Sequence, residues 1–143
     1  MLANRSMPRS TVIPQVGYPD IGEAIDWLCV TFGFTLRVRM GDHRAQLNVG
    51  DGALVIMELP AGFEAQSALG EAFTDSVMIR VEDVDRHHEH ALQRGARILR
   101  PPADYPYGER QYTVADHVGR RWTFSQSIAD VDPRNWGGTP GTL

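Results

Sequence analysis

The chain has 143 residues, 42% of them hydrophobic and 22% charged, with a formal net charge of −4. That length suits one domain with a real core. The acidic balance argues against nucleic acid or an anionic membrane as the main partner, because both select a basic face. A single cysteine, Cys29, excludes an intrachain disulfide and fits a reducing compartment. No stretch approaches the roughly 20 apolar residues of a membrane span, so a cytoplasmic protein is expected.

Residues 1–10, MLANRSMPRS, lack the apolar stretch of a signal peptide and read as a loose tail. A first module is expected over 11–59. It opens with a short β-like run that carries Gln15. Ile21, Ala24, Ile25, Leu28, Cys29 and Phe32 then recur at the spacing of one helical face. Asp20 is placed to cap this helix, with Glu23 three residues on as a capping box, and Gly33 can take the left-handed turn that ends it. Cys29 falls on the apolar stripe and reads as a small core residue rather than a nucleophile. In RAQLNVG, Ala45, Leu47 and Val49 oppose Arg44, Gln46 and Asn48. In ALVIMEL, Val55, Met57 and Leu59 oppose Leu54, Ile56 and Glu58. GDG at 50–52 reads as the hairpin turn between these two strands. His43, in GDHR, sits in another turn and is expected to be solvated.

Residues 60–75 form a linker that is long for a simple connection, with Phe63 and Phe73 as expected anchors. A second module over 76–127 repeats the first. EDVDRHHEHALQRGARIL resembles PDIGEAIDWLCVTFGFTL: Asp83 matches Asp20, Val84 matches Ile21, and Gly95 matches Gly33 after a one-residue offset. In SVMIRVE, Val77, Ile79 and Val81 oppose Ser76, Met78 and Arg80. The second helix has a thinner stripe of Val84, His88, Ala91 and Leu92. DHVG at 116–119 occupies the place of GDG, and Trp122 and Phe124 oppose Thr123 and Ser125 on the last strand. Each unit is therefore strand, helix, three strands. Residues 128–143, rich in Gly and Pro, should be irregular, but Trp136 is expected to pack on the fold or on a second subunit.

One side of every strand is apolar and must pack on the helices. The other side carries Gln15, Arg44, Gln46, Glu58, Met78, Arg80, Arg110 and Tyr112. Such a mixed face is either solvated or lines a cavity. Large residues among the polar ones, Met78, Ile56 and Tyr112, favour a cavity.

The duplicated unit resembles the vicinal oxygen chelate superfamily, which includes glyoxalases, bleomycin-resistance proteins and extradiol dioxygenases. The matching stretches are PDIGEAIDWL with FGF, VEDVDRHHEHALQRGARIL, PPADYPYGER and VADHVGRRWTFSQ, which run over residues 12–126. His117 stands where the family's D-P-x-G turn has proline. The resemblance implies an α+β fold of two βαβββ modules, forming a curved mixed sheet around a small-molecule cavity. The bleomycin-resistance-like branch implies a homodimer. Metal-dependent members place His or Glu ligands on the first and last strands of each unit. Carried over, those positions are Ile13, Glu58, Ser76 and Thr123, or Ser125 if the last strand is shifted. Only Glu58 could ligate, and a catalytic site needs about three good ligands, so no metal or other cofactor is expected. A buried lone carboxylate must be paired, protonated or wet. A Glu58–arginine pair is the preferred reading, and a role as base or ligand contact is the alternative.

His87, His88 and His90 in DRHHEH do not form an H-E-x-x-H motif, and read as the polar face of an outer helix. No G-x-S-x-G marks an activated serine, and no phosphate-binding glycine loop is present. The expectation is a metal-independent protein that sequesters an aromatic or amphipathic small molecule. Gln15, Arg44, Gln46, Glu58, Met78, Arg80, Tyr107, Arg110 and Tyr112 would line its site, closed by the aromatic loop at Tyr105–Tyr107. The alternative is a glyoxalase-like lyase, isomerase or dioxygenase, and a solvated interaction module is a third reading.

Overall fold

The computed structural model describes residues 1–60 and 75–141. The linker anchors Phe63 and Phe73 lie outside the described residues. The element order is β1 (Gln15–Tyr18), α1 (Ile21–Phe32), β2 (Thr35–Met40), β3 (Arg44–Val49), β4 (Gly52–Glu58), β5 (Val77–Arg80), α2 (Val84–Gln93), β6 (Arg97–Tyr105), β7 (Glu109–Ala115) and β8 (Arg121–Ser127). The strand–helix–three-strand unit thus occurs twice. The chain divides into two compact units at the linker, and the turn His117–Gly119 clusters with the first.

The first sheet has the order β1-β4-β3-β2 and the second β5-β8-β7-β6. In each, the first and last strands of the unit pair in parallel and the others antiparallel. A parallel pair cannot be closed by a tight hairpin, so the helix and the two middle strands make the connection.

In the first unit, Asp20 caps α1 by accepting from the Glu23 N–H at 3.0 Å, and Gly33 ends it with φ of 80°. Ile21, Ala24, Ile25, Leu28, Thr31 and Phe32 are buried, and α1 packs on β3 and β4. Fully burying a side chain such as Leu28 contributes about 1.5–3 kcal/mol. Cys29 is only half-buried, and Thr31 takes the deeper place. Burial, helped by Asp26, pushes the Cys29 thiol up, so it stays protonated and a poor nucleophile. Trp27 meets Phe32 edge to face at 4.9 Å. His117 lies in the turn, as expected, but its ring is not solvated. It stacks on Tyr18 at 5.5 Å and on Trp27 at 5.3 Å.

In the second unit, Asp83 caps α2 by accepting from the Arg86 N–H. Trp122, Phe124, Val114 and Tyr112 form the buried centre with Val84 and Ala91 of α2. Trp122 donates its indole N–H to Asp116 at 3.0 Å, and the same carboxylate accepts from the Arg120 N–H at 2.9 Å. Asp116 therefore ties the β7–β8 turn to the core. Leu92 does not join the stripe, being 49% exposed. His87 packs instead, its ring 4.0 Å from that of Phe124. The C-terminal segment is not wholly irregular: Pro133–Trp136 forms a single 3₁₀ turn capped by Asp132.

Candidate functional site

Strand register decides which residues share a face, because directly paired residues point the same way. In the first sheet, Ala45 pairs with Ile56 and Leu47 with Leu54. Val16 pairs with Ile56 and Tyr18 with Glu58. This set forms the helix face, where Tyr18 reaches Trp27 through His117. The far face holds Gln15, Gly17, Arg44, Gln46, Val55 and Met57. A Cβ at Gly17 would push the Leu59 side chain aside.

In the second sheet, Tyr112 pairs with Phe124, Phe124 with Ile79, and Arg110 with Gln126. These form the helix face. The far face carries two rows across three strands: Met78–Thr123–Thr113 and Arg80–Ser125–Gln111.

The register separates the nine expected site residues into three groups. Gln15, Arg44 and Gln46 share the far face of the first unit, with Arg44 donating to Gln15 at 3.1 Å. Met78 and Arg80 share the far face of the second unit, and Tyr107 reaches that face through its hydroxyl, 3.2 Å from Gln111 Oε1. Glu58, Arg110 and Tyr112 are corrections, since all three belong to helix faces. Glu58 pairs with no arginine. Its carboxylate lies 2.7 Å from His43 Nδ1, and that hydrogen bond holds the His43 imidazole above its ordinary value. His43 is exposed, as expected, but not unpartnered. Arg110 donates to Asp85 of α2 at 3.0 Å and to Asp104 of β6 at 2.9 Å. Those bonds push its guanidinium further up. Tyr112 is core, stacked on Phe124 at 5.5 Å and bonded through its hydroxyl to His87 Nδ1 at 2.5 Å. Burial raises its phenol well above the ordinary value, so the phenol stays protonated.

The residues missed from the sequence complete the second unit's far face. Tyr107 donates to Gln111, Gln111 Nε2 donates to Ser125 Oγ at 3.0 Å, and Ser125 donates to Glu109 at 2.7 Å. Ser125 and Gln111 are buried, Ser125 at 2% exposure. Thr113 and Thr123 share a hydrogen bond at 3.3 Å. Hydrogen bonds from Ser127 and Ser125 and the charge of Arg80 hold the Glu109 carboxyl below its ordinary value, although partial burial opposes them. A carboxylate so stabilised is a weak base. It orients Ser125 rather than activating it. Met78, 61% exposed, and Arg80 flank this polar row. The aromatic turn at its end is fixed. Tyr105 and Tyr107 stack at 5.5 Å, and Trp136 meets Tyr107 edge to face at 5.4 Å. Gly108 is required there twice over, by a φ of 82° and because a Cβ would strike the Ala129 carbonyl.

On the first unit's far face, the N-terminal segment is not loose. Arg37 donates to the carbonyls of Arg5 at 2.9 Å and Met7 at 3.2 Å, and Gln46 Nε2 donates to the carbonyl of Ser6 at 2.8 Å.

Residues 13–124 match the family model described as the Glyoxalase/Bleomycin resistance protein/Dioxygenase superfamily. The chain belongs to that superfamily. Solved relatives carry the same fold. TioX from Micromonospora sp. ML1 is 30% identical, covering 86% of this chain and 100% of its own, with a TM-score of 0.68. A glyoxalase/bleomycin resistance protein/dioxygenase from Alicyclobacillus acidocaldarius is 17% identical, covering 86% and 95%, with a TM-score of 0.67. Among curated proteins, an uncharacterized protein of Mycobacterium bovis is 32% identical over 57 residues, 40% of this chain and 38% of that protein. The chain thus spans under two-fifths of that relative's length.

Superfamily members that use a divalent metal need a set of His and carboxylate ligands, and among the described residues Ile13, Glu58 and Thr123 do not supply one. Ile13 has no donor atom. Thr123 bonds Thr113 on the far face, whereas Glu58 lies on the helix face of the other sheet, paired with His43. Among the described residues, no group of three or more His, Cys, Asp or Glu side chains could hold a metal ion. The cluster DRHHEH is split in the same way: His87 and His88 turn toward Tyr112, and His90 is exposed. Among the described residues, no helix is long and apolar enough to cross a membrane.

Proposed function

We propose that this superfamily member is a metal-independent small-molecule binding protein that takes an aromatic or amphipathic ligand on the far face of its second unit. The observation that carries this reading is the hydrogen-bonded row Tyr107–Gln111–Ser125–Glu109, flanked by Met78 and Arg80. The row is preorganised, because each donor in it already has an acceptor. A ligand would meet the Tyr107 and Glu109 ends of the row, an exposed thioether and an exposed guanidinium. Met78 offers a deformable apolar contact and Arg80 a forked donor for an anionic group. Nothing in the row prepares a reaction: the Glu109 carboxylate is a weakened base and the Ser125 proton is committed to it. Glu58, the alternative acid–base candidate, is paired with His43 in the first unit.

The test uses 8-anilinonaphthalene-1-sulfonate, a planar aromatic anion, on tag-free protein with near-ultraviolet dichroism as a folding control. Arg80→Ala should weaken its binding about 10- to 100-fold, the loss expected of a charged hydrogen bond. Arg110→Ala and Glu58→Gln should leave it within about twofold, a change too small to register a lost direct contact. Equal losses from Arg110→Ala and Arg80→Ala would overturn the placement. Metal analysis showing a stoichiometric divalent ion in the protein would overturn the metal-independent reading.

A further inference from the structure

We propose that the C-terminal segment clamps the second unit's far face, with Trp136 as a positioning residue that seats Tyr107 and through it sets the direction of the whole hydrogen-bonded row. This rests on that face being the ligand site, and it gives Trp136 no contact with the ligand. Tyr107 stands in the turn between β6 and β7, outside the paired residues of either strand. It is 36% exposed, so the core does not hold its ring. Two other rings do: Tyr105, stacked at 5.5 Å, and Trp136, edge to face at 5.4 Å with the planes at 61°. Both are arrangements that aromatic pairs prefer. The turn that carries Trp136 has no buried side chain, and four residues do not hold a helical turn alone in water. This one is built from fixed parts. The Ile128 N–H donates to the Gly108 carbonyl at 2.8 Å, so the segment starts beside Tyr107. Asp132 accepts from the Arg134 N–H at 3.0 Å, and the Gly138 N–H closes on the Pro133 carbonyl at 2.8 Å. Anchors at Gly108 and at Tyr107 thus bracket the residue that heads the row.

The seat of that one ring decides where protons point along the row. Gln111 is buried and its Nε2 donates to Ser125, so its Oε1 faces Tyr107. A buried carbonyl oxygen needs a donor, and the Tyr107 hydroxyl supplies it. With Tyr107 swung away, nothing at that end prevents the carboxamide from turning over. Its Oε1 would then accept the Ser125 proton, and Ser125 would cease to donate to Glu109. The Ser125 bond helps to hold the Glu109 carboxyl below its ordinary value, so unseating Trp136 has a consequence at the far end of the row, with or without a ligand.

Two measurements on the full chain test the clamp. In a carbon-detected NMR titration without ligand, Trp136→Ala should move the Glu109 midpoint upward, and Trp136→Phe, which keeps a ring against Tyr107, should restore it. Trp136→Leu, apolar but without a ring, repeats the test if Trp136→Ala does not fold. Binding of 8-anilinonaphthalene-1-sulfonate should weaken about 2- to 10-fold in Trp136→Ala, the range that one aromatic pair spans. Tyr107→Phe removes the hydroxyl that heads the row and should weaken binding similarly. Because Trp136 acts through that hydroxyl, adding Trp136→Ala to Tyr107→Phe should cost nothing further. Additive losses would mean that Trp136 touches the ligand itself, and would overturn the positioning role. An unmoved Glu109 midpoint in Trp136→Ala would overturn it too. If the midpoint moves but Arg80→Ala binds the dye as tightly as the wild type does, the failure lies in the choice of ligand face, and Trp136 still orders the row.

Discussion

α1 and α2 hold equivalent places in two units of one topology, yet they are fastened differently. α1 buries Ile21, Ala24, Ile25, Leu28 and Phe32 as an apolar stripe, with Thr31 the one polar residue buried beside them. α2 buries only Val84 and Ala91. Beside the ring packing of His87 and His88, it adds polar contacts: His87 to Tyr112, Asp85 to Arg110, and the Val84 N–H to Gln126 at 2.9 Å. The far faces diverge in parallel. On the first, Arg37 and Gln46 hold the chain's own N-terminal segment, and the second carries a fixed polar row between Met78 and Arg80. Duplication thus preserved strand order and caps while the side-chain chemistry of each unit changed. A hydrogen bond depends on geometry more steeply than apolar contact does, so the polar helix contact should be the more specific of the two and the less stabilising.

The largest effect that tests this contrast is truncation of the two helix contacts. Leu28→Ala should cost about 2–5 kcal/mol, the transfer and cavity loss of a fully buried leucine. His87→Ala should cost about 1–3 kcal/mol, chiefly because the buried Tyr112 hydroxyl loses a partner. Urea denaturation of both variants measures the difference. A double-mutant cycle of His87→Ala with Tyr112→Phe should return a coupling of about 0.5–1.5 kcal/mol. An uncoupled pair, or a His87→Ala loss equal to that of Leu28→Ala, would erase the distinction between the helices.

These contacts also mark what the sequence could and could not reveal. Asp20, Asp83 and Gly33 act through neighbours three or four residues away, so their roles were legible from spacing. The superfamily was legible from the order of the repeated motifs. The phase of β4 was not, because Leu54, Val55, Ile56 and Met57 are apolar on both faces and alternation cannot choose between them. The signal lay in the hairpin. The turn at Gly50–Gly52 pairs Val49 with Gly52, and counting back pairs Leu47 with Leu54, which puts Glu58 on the helix face. The same count from the Asp116–Gly119 turn pairs Val114 with Trp122 and sends Tyr112 to the core. Arg37 and Arg5 are 32 residues apart, and no local pattern announces their contact.

A smaller effect separates the far faces. Ser127 contributes most to holding the Glu109 carboxyl low, ahead of Ser125 and the charge of Arg80. Removing that hydrogen bond in Ser127→Ala should raise the Glu109 titration midpoint toward the ordinary carboxylate value, read by carbon-detected NMR. The linked stability has a definite sign. Because the folded-state value is lowered, the stabilisation is fully present above the unfolded carboxylate value and is lost as pH falls through the folded one. A Glu109 midpoint unchanged in Ser127→Ala would mean that the polar row does not organise that carboxylate.

The smallest effect belongs to the first unit and runs the opposite way with pH. His43 is raised by its hydrogen bond and charge contact with Glu58, against a small opposing effect of burial. Its contribution is therefore fully present below the ordinary imidazole value, and is lost as pH rises through the raised, folded-state value. Both partners are exposed, His43 at 82% and Glu58 at 47% of their side chains, so solvent screens the pair and little stability rests on it. Glu58→Gln should return the His43 midpoint toward its ordinary value in a histidine NMR titration. Urea midpoints of the variant and the wild type should then coincide at pH above the His43 transition, where the wild-type imidazole is already neutral. If the variant were instead destabilised equally across the whole range, Glu58 would be acting through its packing beside Tyr18 on the helix face, and the pair with His43 would be incidental to it.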